Sequence, residues 1–235
     1  MSIRLLSYNI HSGTGIDRIH DYVRINNFLE EQNIDIALLQ EVDTRPAERS
    51  TEQDIANLCG DRFKTFIPGI SVQEDDGWYG NAILSRFPSR THEIIDISYP
   101  GREPRNIMDV ILETDQGPLR VLNTHKGLKH YERISQLRML HKMLDRYPEL
   151  PLFLGGDLNI WHTSVRSLHD INETLHSVET GGTFPTWFFW PILQLDRVWC
   201  RPDHLIKSAN TLQTSETKIY SDHYPVLVEL DDIDL

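Results

Sequence analysis

The feature that most constrains this chain is a repeated unit, a short apolar run that leads straight into a cluster of polar side chains. The clusters are Ser7-Tyr8-Asn9, Gln40-Glu41, Asn123-Thr124-His125, Asp157-Leu158-Asn159, Asp196 and Ser221-Asp222-His223. Apolar runs of this length, bounded by polar or turn residues, have the signature of buried strands. A single polar strand end is an ordinary loop cap. A whole series of them, carrying Asp, Glu, Asn and His, predicts strands whose ends share one rim. Carboxylates gathered on such a rim repel and shift one another's pKa unless a cation lies among them. Carboxylate and amide oxygens of this kind suit Mg²⁺ or Mn²⁺.

The pattern predicts strands at 3–9, 34–43, 80–86, 92–98, 105–114, 119–125, in LFLGGDLN (152–159), at 194–200 and at 225–230. Helices are predicted over 17–33, 51–59 and 130–146, the last because Ile134, Leu137, Leu140 and Leu144 recur at spacings of three and four. Many strands with few, separated helices predict two packed sheets flanked by helices. No linker or repeat interrupts the chain, so residues 1–235 read as a single domain.

Lys and Arg number 23 against 35 Asp and Glu, a net charge of −12, which gives no global attraction to nucleic acid or anionic membrane. A polyanionic substrate would need a local cationic site, most simply a bound metal. Cys59 and Cys200 make neither a disulfide framework nor a metal-spaced pair. There is no apolar run of transmembrane length, and the start, MSIRLLSYNIHSG, lacks the apolar core of a signal peptide. A cytoplasmic protein is the expectation, with a monomer as the default.

The ordered segments SYNIH (7–11), LLQEVD (38–43), GNAILSR (80–86), NTHKGL (123–128), GGDLNI (155–160), LDRVW (195–199) and SDHYPV (221–226) together resemble the endonuclease/exonuclease/phosphatase superfamily. This group includes pancreatic-type deoxyribonuclease, apurinic-site endonucleases, neutral sphingomyelinases and inositol-polyphosphate 5-phosphatases. The resemblance runs from residue 3 to about residue 230. It implies an α/β chain folded as a four-layer α/β/β/α sandwich of two mixed sheets, and divalent-metal-dependent cleavage of a phosphate ester. It further implies Glu41 as a metal ligand, with Asn9 and Asp222 beside it. Asp157 would orient or activate the attacking water, and Asn159 would contact phosphate oxygens. Asp196 would orient His223, which acts either as base or as cationic stabiliser. His125 matches a histidine of the catalytic rim. In pancreatic-type deoxyribonuclease a glutamate supports that histidine, but here the corresponding strand carries Tyr79, Gly80 and Asn81, which leaves His125 a supporting role. His11 reads as a loop or core residue, or as a neighbour of the metal.

Three further features bear on substrate. Lys126, Lys129, His130 and Arg133 form either a phosphate-tracking rim or the solvated face of a helix. Arg105 is either a contact to a second phosphate or a surface residue. The segment TFPTWFFWPILQLD (183–196) holds Phe184, Trp187, Phe188, Phe189 and Trp190. Those rings either plug the core or make an apolar lip beside Asp196 that helps choose the substrate, with Trp187 a candidate contact. Nucleic acid and phospholipid are both open as substrates, and a non-catalytic binding module is the reading from another class.

Overall fold

The structure is a computed structural model, described here over residues 2–45, 49–161 and 166–231. Its strands, in chain order, are β1 (Ile3–Asn9), β2 (Ile36–Asp43), β3 (Thr65–Glu74), β4 (Gly77–Ser85), β5 (Ser89–Asp96), β6 (Asn106–Thr114), β7 (Gly117–His125), β8 (Leu152–Asp157), β9 (His176–Val178), β10 (Asp196–Arg201), β11 (Ile206–Thr211) and β12 (Val226–Leu230). The helices are α1 (Tyr22–Glu31), α2 (Thr51–Cys59), α3 (His130–Leu144), α4 (Arg166–Thr174) and α5 (Thr217–Tyr220). The strands make two mixed six-stranded sheets, ordered β11-β12-β1-β2-β4-β3 and β5-β6-β7-β8-β10-β9.

Strand alternation sorts the side chains into layers. Leu5, Leu38, Val110, Val121, Phe153 and Val228 meet between the sheets. Leu6, Tyr8, Ala37 and Leu39 face outward onto Ile25, Phe28 and Leu29 of α1 and Leu58 of α2. On the far side, Leu122, Leu154 and Trp199 pack against Leu137, Leu140 and Leu144 of α3 and Ile171 of α4. The result is the expected α/β/β/α sandwich.

Local differences from the sequence reading have local causes. The first helix starts at Tyr22 instead of residue 17, because Asp21 is extended (φ −161°) and its carboxylate accepts the Arg24 N–H at 3.0 Å as an N-cap. β3 was not among the expected strands; it contains Pro68 and Gly69, yet it is an edge strand, where proline is tolerated.

Register sets the positions of the polar strand ends. Asn9 pairs with Gln40 across β1 and β2, and His125 pairs with Asp157 across the parallel β7 and β8. Asp196 pairs with Asp157 across β8 and β10. The candidate residues therefore lie at one end of both sheets.

One buried charge ties a sheet to its helices. Arg120 of β7 is fully buried and holds Asp109 of β6 with two hydrogen bonds of 2.8 Å. It also donates to the Met143 carbonyl at 2.8 Å and to the Arg146 carbonyl, satisfying acceptors at the C-terminal end of α3. Removing one member of such a pair strands the other charge in the interior. Arg120→Met is expected to cost about 3–5 kcal/mol in urea unfolding, and Arg120→Met with Asp109→Leu to recover part of that loss. A single variant as stable as wild type would show that the pair contributes nothing.

Candidate active site

Glu41 reaches the rim through a break in strand alternation. Between Leu39 and Val42, β2 holds one residue more than β4 holds between Ala82 and Gly80. Regular alternation would place Glu41 with Ala37 and Leu39 against the helices. At the bulge its backbone instead adopts φ 57°, a conformation uncommon outside glycine. Its carboxylate then accepts the Asn9 Nδ2–H at 2.9 Å. The same amide nitrogen donates at 3.1 Å to Asp157 Oδ2, on the other sheet.

The Asn9 amide has one consistent orientation. Its Oδ1 accepts the His11 N–H at 3.0 Å, so its NH₂ faces the two carboxylates. Asn9 was expected beside the metal as a ligand; here its NH₂ clamps the two acidic groups while its Oδ1 accepts the His11 N–H.

Asp157 ends β8 just after Gly156. A Cβ at Gly156 would sit 1.9 Å from the Thr124 carbonyl oxygen, so glycine allows the close approach to β7. Asp157 Oδ1 accepts the Asn159 N–H at 2.9 Å. Asn159 (φ 52°) donates through Nδ2 to the Lys126 carbonyl at 2.8 Å and lies 3.5 Å from Asp157 Oδ2. Burial pushes the Asp157 carboxyl up to about 6, with the charges of Asp196 and Glu41 adding to the rise against the pull of His223. Burial likewise raises Glu41, reinforced by Asp222 and opposed by the Asn9 hydrogen bond.

His223 faces these carboxylates. Its Nδ1 lies 2.7 Å from Asp196 Oδ2, as the sequence predicted, and its Nε2 lies 3.9 Å from Asp157 Oδ2. Burial alone would lower the imidazole pKa, but Asp196, Asp157 and Asp222 overcome it and push it up to about 10. The ring is thus an imidazolium at neutral pH. Ser221 sets its backbone: the hydroxyl accepts the His223 N–H at 3.2 Å and donates to the Asn9 carbonyl at 2.7 Å. The Phe184 ring packs on the imidazole with centroids 5.0 Å apart.

His125 has the opposite character. Its Nδ1 meets the Arg105 guanidinium at 3.5 Å, and a guanidinium only donates, so Nδ1 accepts and the hydrogen resides on Nε2. That Nε2 faces Asp157 Oδ2 at 3.5 Å and Glu41 Oε1 at 3.9 Å. Burial, with the charges of Arg105 and His223, holds this histidine well below its ordinary pKa. Arg105 therefore occupies the supporting position where a carboxylate was missing on β4.

Two expectations are corrected. Arg105 is not a solvated surface residue; it is buried, with Nη2 on Glu103 at 3.0 Å. Lys126 is not part of a basic rim. One residue beyond His125, alternation turns it toward the helical layer, where it is fully buried and its Nζ has no hydrogen-bond partner among the described residues. Burial and the charge of Arg133 hold its amine well below the usual lysine range. Asp222 is half-buried at the rim, and Trp187 is exposed in the loop before Asp196. The sequence reading missed the structural parts played by Ser221 and Phe184, and by Gln40 and Asn123, whose amides join at 2.8 Å between the sheets. An amide inside an otherwise apolar strand was the available signal for that last pair.

The donors present fit a divalent cation. Glu41 and Asp157 converge on one amide, both are pushed up by burial, and Asp196 Oδ1 is buried without a hydrogen-bond partner among the described residues. Among the described residues no three His, Cys, Asp or Glu side chains close into a full protein cage. Mg²⁺ tolerates that, since it usually keeps several waters and takes one or two carboxylates plus substrate oxygens.

Lys126 yields a pH test. Its amine is depressed in the folded state, so the unfolded chain binds the extra proton, and stability rises with pH from the depressed value up to about 10.5. Lys126→Met is expected to be more stable than wild type at pH 7, with the advantage shrinking toward pH 10. Parallel stability–pH curves for the two proteins would refute this.

The geometry can be set beside known proteins. The model of the endonuclease/exonuclease/phosphatase family matches residues 6–223. YbhP of Escherichia coli K12, itself uncharacterized, is 28% identical over 97% of this chain and 96% of its own. A mannosyl-6-phosphatase of Bacteroides thetaiotaomicron shares the fold at TM-score 0.77 and 19% identity, covering 98% of this chain and 100% of that one. The TDP2 of D. rerio, solved with a single-strand DNA product, does so at TM-score 0.74 and 16% identity, covering 98% and 99%. An endonuclease/exonuclease/phosphatase protein of Beutenbergia cavernae reaches TM-score 0.80 at 20% identity, covering 97% of this chain and 71% of that one. Given the family match across nearly its whole length, the chain belongs to the endonuclease/exonuclease/phosphatase family.

Proposed function

We propose that this protein is a divalent-metal-dependent hydrolase of phosphate esters, acting on phosphodiesters by in-line attack of water. The observation that carries the reading is a convergence in one pit: His223 Nε2 lies 3.9 Å from Asp157 Oδ2 while Asp196 holds its Nδ1 at 2.7 Å. Asp157, near 6, is ionised at pH 7–8, while His223, near 10 and 3.9 Å away, is protonated. A proton acceptor and a proton donor facing the same point supply the acid and base of a hydrolysis. Enzymes of this family generally act on phosphate esters and commonly use divalent metals.

Asp157 orients the attacking water and takes its proton. The Nε2–H of His223 donates to the phosphate and supplies the proton that the leaving oxygen takes, with Asp196 holding the ring through Nδ1. His125 offers a second, neutral Nε2–H, its tautomer fixed by Arg105. The Asn159 amide, held by the Lys126 carbonyl at 2.8 Å, turns its second hydrogen toward Asp157 Oδ2 at 3.5 Å and would shift that long bond to a phosphate oxygen. Glu41 and Asp222 would hold the cation, with Asn9 fixing the Glu41 carboxylate. Bound there, it would neutralise charge on the phosphate and polarise the P–O bond.

The test is hydrolysis of bis-p-nitrophenyl phosphate with Mg²⁺, Mn²⁺ or chelator. Metal-dependent release of nitrophenol is expected, and its absence under all conditions would end the proposal. Glu41→Gln is expected to lower the rate by orders of magnitude and to abolish the rise in Tm that Mg²⁺ gives the wild-type protein. An undiminished Tm response would place the cation elsewhere. Asp196→Asn and His223→Ala are each expected to lower kcat about 10²–10⁴-fold, and the double variant to be little worse than either, since residues acting as a unit are not additive. Multiplying losses would mean that the two act separately.

A further inference from the structure

The loop before Asp196 forms an apolar knob on the wall of the pit. Its base is closed by Phe184 and Leu193, which exchange backbone hydrogen bonds of 3.0 and 2.9 Å. The base is also bound to the catalytic wall. The Thr186 N–H donates to the Asp222 carbonyl at 3.0 Å, the Thr186 hydroxyl to the Ser221 carbonyl at 2.7 Å, and the Tyr224 N–H to the Thr183 carbonyl at 2.7 Å. From this base Trp187, Phe188, Phe189 and Trp190 project into solvent, Phe189 at 90% and Trp190 at 66% exposure. Phe188, Phe189 and Trp190 pack on one another, edge-on or tilted, with centroids 6.0–6.3 Å apart.

Further exposed apolar side chains lie at the same end of the sandwich. Leu128 follows His125 at the exit of β7, and Trp161 follows Asn159 at the exit of β8. Those strands are parallel, with His125 opposite Asp157. Asp196, which ends the knob segment, also pairs with Asp157. Exposed apolar surface beside a catalytic mouth marks an interaction site.

The chemistry of the knob selects its partner. No residue between Glu179 and Asp196 carries a charge. Single-stranded nucleic acid is gripped by aromatic platforms set in a cationic groove, whereas these rings pack on each other and residues 180–195 supply no cation. Trp and Phe side chains that cluster without charge suit the boundary between headgroups and acyl chains. The net charge of −12 disfavours an anionic bilayer and leaves a zwitterionic one.

We propose that this knob docks the protein on a zwitterionic phospholipid bilayer and that the pit hydrolyses a phosphodiester in a lipid headgroup there. The substrate half rests on the phosphoesterase reading above. Water adds its oxygen to phosphorus and loses a proton to Asp157. One ester P–O bond breaks, its oxygen leaves as an alcohol with the proton from His223, and a phosphomonoester remains. Because the knob base is bonded to residues 221–224, docking sets the headgroup against His223.

The experiment uses the full chain with vesicles of phosphatidylcholine, phosphatidylethanolamine and sphingomyelin, and bis-p-nitrophenyl phosphate as the soluble ester. Wild type is expected to sediment with the vesicles. The variant Phe189→Ala/Trp190→Ala, of unchanged Tm, is expected to bind at least ten-fold less and to lose lipid hydrolysis by a similar factor, while cleaving the soluble ester at the wild-type rate. Wild type remaining in the supernatant, or equal binding by the variant, overturns docking. So does a wild-type dimer that the variant converts to monomer, since the knob would then be a self-association surface. Binding with cleavage of the soluble ester but of no lipid overturns the substrate half alone. Binding with cleavage of neither ester leaves docking standing and sinks the phosphoesterase reading instead.

Discussion

The pit exists because two sheets are held in one alignment, and an amide bridge beneath the pit fixes it. Gln40 Nε2 donates to Asn123 Oδ1 at 2.8 Å, and Asn123 Nδ2 donates to the carbonyls of Leu39 and Ala82 at 3.0 Å each. These amides are fully buried between the sheets, where an unpaired polar group is costly. Sliding one sheet past the other would break these bonds, whereas a purely aliphatic contact would tolerate the slip. The bridge sits one residue before Glu41 and two before His125, so the sheet alignment passes directly into the spacing of the groups that line the pit.

Much of this was legible in the sequence. The order of polar strand ends marked the rim, and the Asp196–His223 pair followed from LDRVW and SDHYPV. What escaped depended on three-dimensional context. Lys126 and Arg105 looked like surface residues because charge usually means solvent, yet alternation turned one inward and a histidine claimed the other. The clamp role of Asn9 depends on the His11 N–H engaging its oxygen, which no spacing reveals. β11, IKSANT, is too polar to read as a strand and exists because β12 offers it an edge. The aromatic segment stood out, but only its exposure decided between core plug and lip.

The electrostatics of the pit follow from concentrating acid groups where water is scarce. Asp157, Asp196 and Glu41 share a small, low-dielectric volume, and the imidazolium of His223 is the charge that offsets them. Burial raises Asp157 and Glu41, while the charges of Asp196, Asp157 and Asp222 raise the imidazole, so these groups titrate together. Arg105 keeps His125 out of this exchange, as a neutral hydrogen-bond donor beside a charged one. Two histidines a few ångströms from the same carboxylate thus diverge: burial, with the charges of Arg105 and His223, lowers His125, while Asp196, Asp157 and Asp222 raise His223 against burial.

The Ser221 hydroxyl, bonded to the Asn9 carbonyl, joins residues 212 positions apart, and β1 is paired along its length with β12. β1 is an interior strand whose second neighbour is the last strand of the fold. On a ribosome it must wait, one edge unpaired, until nearly the whole chain has emerged. Contacts this distant in sequence slow folding and prolong the exposure of unpaired edges. A chain broken off before residue 221 would lack His223 and the partner of β1 together, so an incomplete product would carry a half-built pit and an exposed strand edge at once.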